Sequence, residues 1–164
     1  MPDMLVRLDD LPQTADLYEQ LAAQNITLHR VMSPNYGKAF DFIKAAFGDG
    51  WAYEACSAIS HQPSGLFVAL EKTDAGKRIV GFSAYNATAL DFFGPTGVDS
   101  QLRGKGLGAA LLMSCLHDMK TLGYAYAIIG GAGPVHYYEK VCGATPIEGS
   151  WPGIYKDMLR PKKR

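Results

Sequence analysis

The segment between Val98 and Gly108 places closely spaced glycines between an apolar strand end and a strongly amphipathic helix. Glycine lets the backbone adopt positive φ angles and approach a ligand closely. The first turn of a helix offers unpaired N–H groups and the positive end of the helix dipole. Arg103 and Lys105 add positive charge beside those amides. The spacing therefore predicts a loop that binds a phosphate group.

Three phosphate-binding patterns compete for this loop. A P-loop requires a glycine, four residues and then Gly-Lys-Ser/Thr, but Asp99 stands where the first glycine should be and Gly106 follows Lys105. A dinucleotide fingerprint requires an acidic residue at the end of the next strand, which ends here in Gly130-Gly131. The third pattern, Gln/Arg-x-x-Gly-x-Gly/Ala, is satisfied by Gln101, Gly104 and Gly106.

A second motif lies downstream, where an aromatic-Tyr-Glu-Lys run between Gly133 and Ala144 closes on a glycine and an apolar residue. With the two motifs in this order, the sequence resembles the GNAT superfamily of acyl-CoA N-acyltransferases. The resemblance is strong over residues 65–144 and thin before them. It implies a single GNAT domain over residues 1–164, with residues 1–25 as a helical N-terminal extension and residues 160–164 as a basic tail.

The resemblance also implies how acetyl-CoA would bind. In this family the loop cradles the pyrophosphate of coenzyme A, and the strand before it parts from its parallel neighbour so that the pantetheine arm can pair with exposed backbone. Gly94-Pro95 fits such a break, because proline cannot donate to a strand ladder, although a kinked edge strand would fit it too. The implied cofactor-binding residues are Thr96, Gly97, Val98, Arg103, Gly104, Lys105, Gly106, Leu107, Gly108 and Ala109.

Tyr138 matches the position of the family's general acid, which protonates the departing thiolate. A phenol, with a pKa near 10, suits that role. Tyr137 is the adjacent alternative and is expected to be the more buried of the two, and a packing role for Tyr138 stays open. Many family members carry an Asn seven residues before this Tyr, where Gly131 stands in this sequence.

Some family members also carry a catalytic Glu in the strand after the loop helix, but residues 124–129 contain no carboxylate. A base must therefore lie elsewhere, or ordered water must relay the proton. The candidate bases are Asp49, Glu54, Asp91, Glu148 and His136.

The acceptor pocket of this architecture lies opposite the cofactor cleft, between the early helix pair and the last hairpin. Two segments there, residues 47–54 and 148–155, combine aromatic residues with carboxylates, which suits a small organic amine. Core and turn packing would explain the same composition. The predicted substrate-binding residues are Trp51, Glu54, Glu148 and Tyr155.

Hydrophobic spacing predicts the elements that must position these residues. Helices are expected at residues 14–24, 33–47, 51–60 and 106–122, and strands at 26–32, 66–71, 78–86, 91–98 and 124–129. Short turns join the strands between residues 66 and 98, so these strands form an antiparallel meander. The predicted fold is α/β with α+β character: a GNAT fold with a mostly antiparallel central sheet, a splayed parallel strand pair and helices on both faces.

The composition of the chain indicates which partners and which cellular location to expect. The 164 residues carry 16 basic and 16 acidic side chains, a balance without the electrostatic footprint of a nucleic-acid-binding protein. No apolar run approaches the length of a membrane span and the start does not resemble a signal peptide, so a cytoplasmic protein is expected. Cys56, Cys115 and Cys142 are odd in number and widely spaced, so we expect reduced, structural thiols and no metal site.

The sequence therefore predicts an N-acetyltransferase that moves an acetyl group from acetyl-CoA to a primary amine, by direct attack through a tetrahedral intermediate. The expected acceptor is a small molecule. Acylation of a protein or peptide amine is the second enzymatic hypothesis, and a non-catalytic acyl-CoA-binding module is the third. The resemblance leaves a homodimer open and does not identify the amine.

Overall fold

The computed structural model describes residues 1–159, so the predicted basic tail at 160–164 lies outside the described residues. Within them the helices are α1 (Ala15–Ala22), α2 (Tyr36–Phe47), α3 (Asp49–Ser57), α4 (Leu107–Thr121) and α5 (Val135–Cys142). The strands are β1 (Met4–Arg7), β2 (Ile26–Arg30), β3 (Leu66–Thr73), β4 (Gly76–Tyr85), β5 (Phe92–Val98), β6 (Tyr126–Ile129) and β7 (Thr145–Pro146).

The strands form one sheet in the order β2-β3-β4-β5-β6-β1-β7. Neighbours are antiparallel except β5 and β6, which are parallel. Parallel neighbours need a long crossover, and α4 supplies it between β5 and β6. The predicted mixed sheet with a single parallel pair is confirmed.

Helices cover both faces of this sheet, as predicted. On one face, Ile43 of α2 and Ala52 of α3 are buried in a cluster with Phe82 of β4. On the other face, Leu112 of α4 and Tyr138 of α5 are buried in a second cluster. Because α4 and α5 share a face, the predicted phosphate loop and the predicted acid lie on the same side of the sheet.

The N-terminal segment departs from the predicted helical extension. Residues 15–22 do form α1, but residues 4–7 form β1, which pairs antiparallel with both β6 and β7. Met4 and Val6 are fully buried whereas Arg7 is exposed, which is the alternation of a strand. A four-residue strand contains too few alternations to be recognised in the sequence, so the pattern predicts only the helix.

The prediction of a hairpin after α5 is wrong for the described residues. After α5 the chain forms only the two-residue strand β7, which pairs with β1. It then turns into a short 3₁₀ helix, Gly153–Tyr155. Pro146 and Pro152 limit strand pairing here, because proline has no N–H to donate. An irregular C-terminal segment therefore takes the place of the hairpin.

Element boundaries differ from the predictions mainly where 3₁₀ turns begin. The predicted helix at Ser33 starts as a 3₁₀ turn, Ser33–Asn35, and becomes α-helical only at Tyr36, so Ser33 does not cap α2. Among residues 1–159, no helix combines the length and the apolar character that crossing a membrane requires.

A polar network fastens α4 to the sheet. The guanidinium of Arg30 in β2 donates hydrogen bonds of 2.7 and 2.8 Å to the carboxylate of Asp118 in α4, and one of 2.6 Å to the carbonyl of Ser64. The hydroxyl of Tyr85 donates to the same carboxylate. Burial alone would raise the pKa of Asp118, but the hydrogen bonds from Arg30 and Tyr85 outweigh it and hold the pKa below its usual value.

We predict that Asp118→Asn lowers the free energy of unfolding by roughly 1–3 kcal/mol at neutral pH, because the three charge-assisted hydrogen bonds from Arg30 and Tyr85 are weakened. The pKa of Asp118 is lowered by folding. Its stabilising effect is therefore complete above the unfolded pKa near 3.9 and disappears as the pH falls through the folded value. Urea denaturation at pH 7 and pH 3, with Asp16→Asn on the exposed side of α1 as control, measures this. An equal loss at both pH values would contradict the assignment.

Candidate active site

The central feature of the site is the point where β5 and β6 part. The two strands pair only at Phe92 with Ile128 and Phe93 with Ile129. Gly94 then adopts a φ of 118°, and Pro95 has no N–H to donate. From Thr96 to Val98, β5 continues to pair with β4 alone. The predicted splay is confirmed, and it leaves the β6-facing edge of β5 open over its last residues.

One face of the open strand is covered by the aromatic ring of Phe47 at the end of α2. A Cβ at Gly97 would lie 2.5 Å from Cζ of Phe47, so only glycine permits this contact. The hydroxyl of Thr96 donates to the carbonyl of Phe82 at 3.0 Å and ties β5 to β4. Close packing on this face holds β5 in place beyond Phe93, where it no longer pairs with β6.

The conformation of the loop after β5 is fixed by a local hydrogen bond, a buried side chain and two glycines. The carboxylate of Asp99 accepts a hydrogen bond of 2.9 Å from the amide of Gln101, and Leu102 is buried as an anchor. Gly104 and Gly106 have φ angles of 79° and 83°. A Cβ at Gly104 would meet nothing within 4 Å, so the need for glycine there is conformational rather than steric.

The start of α4 faces the open edge with its first amides available. Gly106 is the N-cap and has no side chain to occupy them, and the amide of Ala110 is the first to bond back to the carbonyl of Gly106, at 3.0 Å. Arg103 and Lys105 are exposed beside this turn. Free amides, the helix dipole and two cations together form a site suited to a phosphate group.

The two phenols of α5 lie in different surroundings. Tyr138 is 7% exposed within the core, and burial raises its pKa to about 12. Tyr137 is 38% exposed, and burial raises its pKa as well. A Cβ at Gly108 would lie 3.3 Å from the Tyr137 hydroxyl, so this phenol lies against the first turn of α4. The expectation that Tyr137 is the more buried is wrong, because α5 turns Tyr138 and Cys142 to the core.

The cysteines are structural, as expected. All three are free and buried. Burial raises the pKa of Cys56 and of Cys142 to about 11 and the pKa of Cys115 to about 12. A thiol with so high a pKa holds almost no thiolate at neutral pH, so none of the three is a suitable nucleophile.

On the opposite face, two of the predicted substrate-binding residues lie near the parting strands. A Cβ at Gly130 would overlap the hydroxyl of Tyr155, and the ring of Phe92 also borders that position. Burial raises the pKa of Tyr155 to about 12, and the nearby charge of Glu54 adds to the shift. Glu54 accepts a hydrogen bond from the hydroxyl of Thr88.

The other two predicted substrate-binding residues, Trp51 and Glu148, lie in different surroundings from each other. Trp51 is 41% exposed on α3, and its ring stacks on Phe47 with centroids 5.6 Å apart. It therefore shares the face of Glu54 and the packing that supports β5. Glu148 lies exposed in the turn after β7 and makes no hydrogen bond or ion pair with any described residue.

A family profile for the acetyltransferase (GNAT) family matches residues 28–144, which include the split strands, the loop and α5. The chain belongs to the GNAT acetyltransferase family.

Solved GNAT structures share the fold at low identity. A fungal multi-domain β-N-acetylglucosaminidase contains a region described as a glucosamine N-acetyltransferase, which matches 89% of this chain with a TM-score of 0.72 and 14% identity. GCN5-related N-acetyltransferases from Sphaerobacter thermophilus and Kribbella flavida match with TM-scores of 0.65 and 0.55, at 22% and 21% identity over 89% and 88% of this chain. No curated protein matches the chain.

The chain is shorter than these relatives. It spans 19% of the fungal protein and 48% and 53% of the two bacterial proteins. The likeness therefore concerns one domain of longer chains.

The residues present fit the acetyl-CoA that GNAT enzymes use. The amides at the start of α4 and the exposed Arg103 and Lys105 suit a pyrophosphate, and the open edge from Thr96 to Val98 offers unpaired backbone groups to an amide-bearing arm. Gly104 has open space around it, whereas the Tyr137 hydroxyl lies beside Gly108.

The remaining candidate bases differ in their exposure and in their hydrogen-bond partners. Asp49 is exposed and lies 3.6 Å from the ammonium of Lys44, and the exposed ring of His136 bonds to Glu139 at 2.8 Å. Asp91, just before β5, has a buried Oδ1 without a hydrogen-bond partner among residues 1–159, and burial raises its pKa. Of these, Asp91 lies closest in the chain to the parting strands.

Sequence reasoning missed Asp3. Its carboxylate Oδ1 accepts a hydrogen bond of 2.8 Å from the amide of Gly131, the position at which many GNAT proteins carry Asn. Gly131 has a φ of 53°, and the rings of Trp151 and Tyr155 border it. No sequence signal could reveal this contact, because the two residues are 128 positions apart and β1 itself escapes the pattern.

Proposed function

We propose that this protein is an N-acetyltransferase that transfers the acetyl group of acetyl-CoA to a primary amine of a small molecule. The observation that carries the proposal is the parting of β5 and β6 in front of the loop that begins α4. β5 leads into the loop that begins α4, so an extended, phosphate-bearing ligand can contact the open strand edge and the helix amides in turn.

Acetyl-CoA supplies an activated thioester when it is bound. The backbone of Thr96, Gly97 and Val98 binds its pantetheine arm in this proposal. The turn from Gly104 to Ala109, with Arg103 and Lys105, binds its pyrophosphate. Leu107 is fully enclosed in the core beneath that turn, so its side chain fixes the turn while its amide faces outward.

Transfer requires two proton movements at the protein. The amine must lose a proton as its nitrogen bonds to the acetyl carbon, and the sulfur must gain one as the carbon–sulfur bond breaks. A phenol of α5 is suited to the second role, since its raised pKa keeps it protonated at neutral pH. The family pattern favours Tyr138. The exposure of Tyr137 and its position against Gly108 support Tyr137 instead.

The acceptor face supports a small amine. Trp51 and Tyr155 provide aromatic surface there, and Glu54 provides negative charge for an ammonium group. The fungal region with the same fold is described as a glucosamine N-acetyltransferase, which makes glucosamine the first acceptor to test.

The direct test measures free thiol released from acetyl-CoA with glucosamine, aliphatic diamines, aryl-alkylamines and peptides with free amines. We expect turnover with at least one small amine and none with peptides. Turnover on peptides alone would favour the protein acceptor. Binding of coenzyme A in calorimetry without turnover on any amine would favour the binding module, and absence of coenzyme A binding would overturn the proposal.

A substitution in the loop tests its role in binding coenzyme A. We expect Gly106→Ala to weaken coenzyme A binding at least tenfold, because an alanine resists a φ of 83° and displaces the amides of α4. Gly76→Ala is the matched control, since Gly76 has a φ of 119°, open space around it and a place in the β3–β4 turn. Both variants should lose roughly 1 kcal/mol of stability. Equal coenzyme A affinity in the two would argue against the cradle.

The two phenols are separated by paired substitutions. We expect Tyr137→Phe to lower kcat about a hundredfold and Tyr138→Phe to leave it within a few-fold of the wild type. The acid works only while protonated, and burial raises the pKa of Tyr137 above its ordinary value. Activity should therefore persist into the alkaline range and fall as the pH passes the pKa of this phenol.

A pH profile of kcat for the wild type, both variants and the exposed control Tyr126→Phe on β6 measures these effects. The reverse ranking would assign the acid to Tyr138. Full activity in both variants at every pH would remove the phenol from the mechanism.

A further inference from the structure

Tyr155 occupies the parting point of the sheet from the face opposite α4. Phe93 and Ile129 are buried in the cluster that contains Leu112 of α4. Their neighbours Phe92 and Gly130 point to the other face, because side chains alternate along a strand. The Tyr155 hydroxyl lies where a side chain at Gly130 would be, so it reaches the place where the strands diverge.

The charge on this face comes from α3. Glu54 lies in α3 with one carboxylate oxygen bonded to the hydroxyl of Thr88. Its negative charge acts on the Tyr155 phenol and, together with burial, opposes ionisation of that phenol. Trp51, one turn before Glu54 on α3, stacks on Phe47, the ring that covers Gly97 of β5. Glu54 and the Tyr155 hydroxyl therefore lie on the same side of the sheet, beside the strands that part. A carboxylate attracts an ammonium group, and a hydroxyl oxygen can accept one of its hydrogen bonds.

The C-terminal strap, residues 147–155, is fastened by Asp3. The amide of Asp3 donates to the hydroxyl of Ser150 and its carbonyl accepts from the amide of Ile147, both at 2.8 Å. Its side chain binds the amide of Gly131 at 2.8 Å and is 8% exposed. These bonds join the strap to the end of β6, directly beside Gly130. Asp3 therefore fixes the strap that carries Tyr155 relative to the parting strands.

We infer that Tyr155 and Glu54 bind the ammonium group of the acceptor at the parting point, and that Asp3 positions Tyr155 for this contact by fastening the strap. The inference rests on the proposed function and deepens it, because it identifies the acceptor as a primary amine recognised in its charged form. Tyr155 and Glu54 touch the substrate, whereas Asp3 acts through Tyr155.

The test uses the full chain, coenzyme A, acetyl-CoA and the amine with the highest kcat/KM in the panel. Tyr155→Phe and Glu54→Gln should each raise the KM of that amine about tenfold or more, since each removes a hydrogen bond or charge from an ammonium group. Calorimetry with coenzyme A alone should give an unchanged affinity. Calorimetry with the amine added to the coenzyme A complex should reproduce the loss without turnover.

Asp3 is tested by two substitutions. Asp3→Ala should raise the KM of the amine roughly tenfold, because the Asp3 side chain no longer binds the amide of Gly131 and the residue to which the strap is bonded is less firmly held to the end of β6. Asp3→Asn should restore most of the affinity, since an amide oxygen can accept the same hydrogen bond. Matched controls are Tyr53→Phe for Tyr155, Glu19→Gln for Glu54 and Asp10→Asn for Asp3, all exposed in the structure.

The outcomes distinguish failure of this inference from failure of the proposed function. If the wild type acetylates an amine and the Tyr155 and Glu54 variants keep its KM and affinity, the inference is overturned while the proposed function stands. If coenzyme A affinity falls together with amine affinity, the substitutions act on the whole domain and the inference is overturned as well. If the wild type binds no coenzyme A and acetylates no amine, the proposed function fails and the inference fails with it.

Discussion

The arrangement of the site depends on one break in backbone pairing. β5 keeps its hydrogen bonds to β4 but pairs with β6 at only two positions, and Gly94 and Pro95 end that contact. A strand that loses one neighbour must be held by other means, and here the ring of Phe47 packs directly on Gly97. This packing supports β5 beside the gap, and the strand leads straight to the loop that begins α4.

The alternation of side chains places different groups on the two faces of this gap. The loop amides and the phenols of α5 lie on the α4 face, and Glu54 and the hydroxyl of Tyr155 in the strap lie on the α3 face. In the proposed function, the α4 face would bind acetyl-CoA and the α3 face would bind the acceptor, so that the two would meet where the strands diverge.

Local patterns predicted the elements around the loop well and the strands at one edge of the sheet poorly. The glycines of the loop and the apolar stripe of α4 are short-range signals, and together with the meander they predicted the mixed sheet with one parallel pair, but not β1 or β7. The helical phase of α5 was harder, because neighbouring tyrosines differ by only about 100° and the tertiary contacts decide which is buried. Asp3 and Tyr155 could not be placed, since β1 is too short to recognise and the strap has no regular structure to extrapolate.

The family match includes Trp51 and Glu54 but leaves out two other residues of the proposed acceptor site. It covers residues 28–144 and so includes the gap, the loop and α5, but neither Asp3 nor Tyr155. Both come from the chain ends and meet because β1 lies between β6 and β7. Gly131, which departs from the family pattern, is the residue whose amide Asp3 binds. The chain outside the match therefore contributes Asp3 and the strap to the proposed acceptor site, beside Glu54 from within the match.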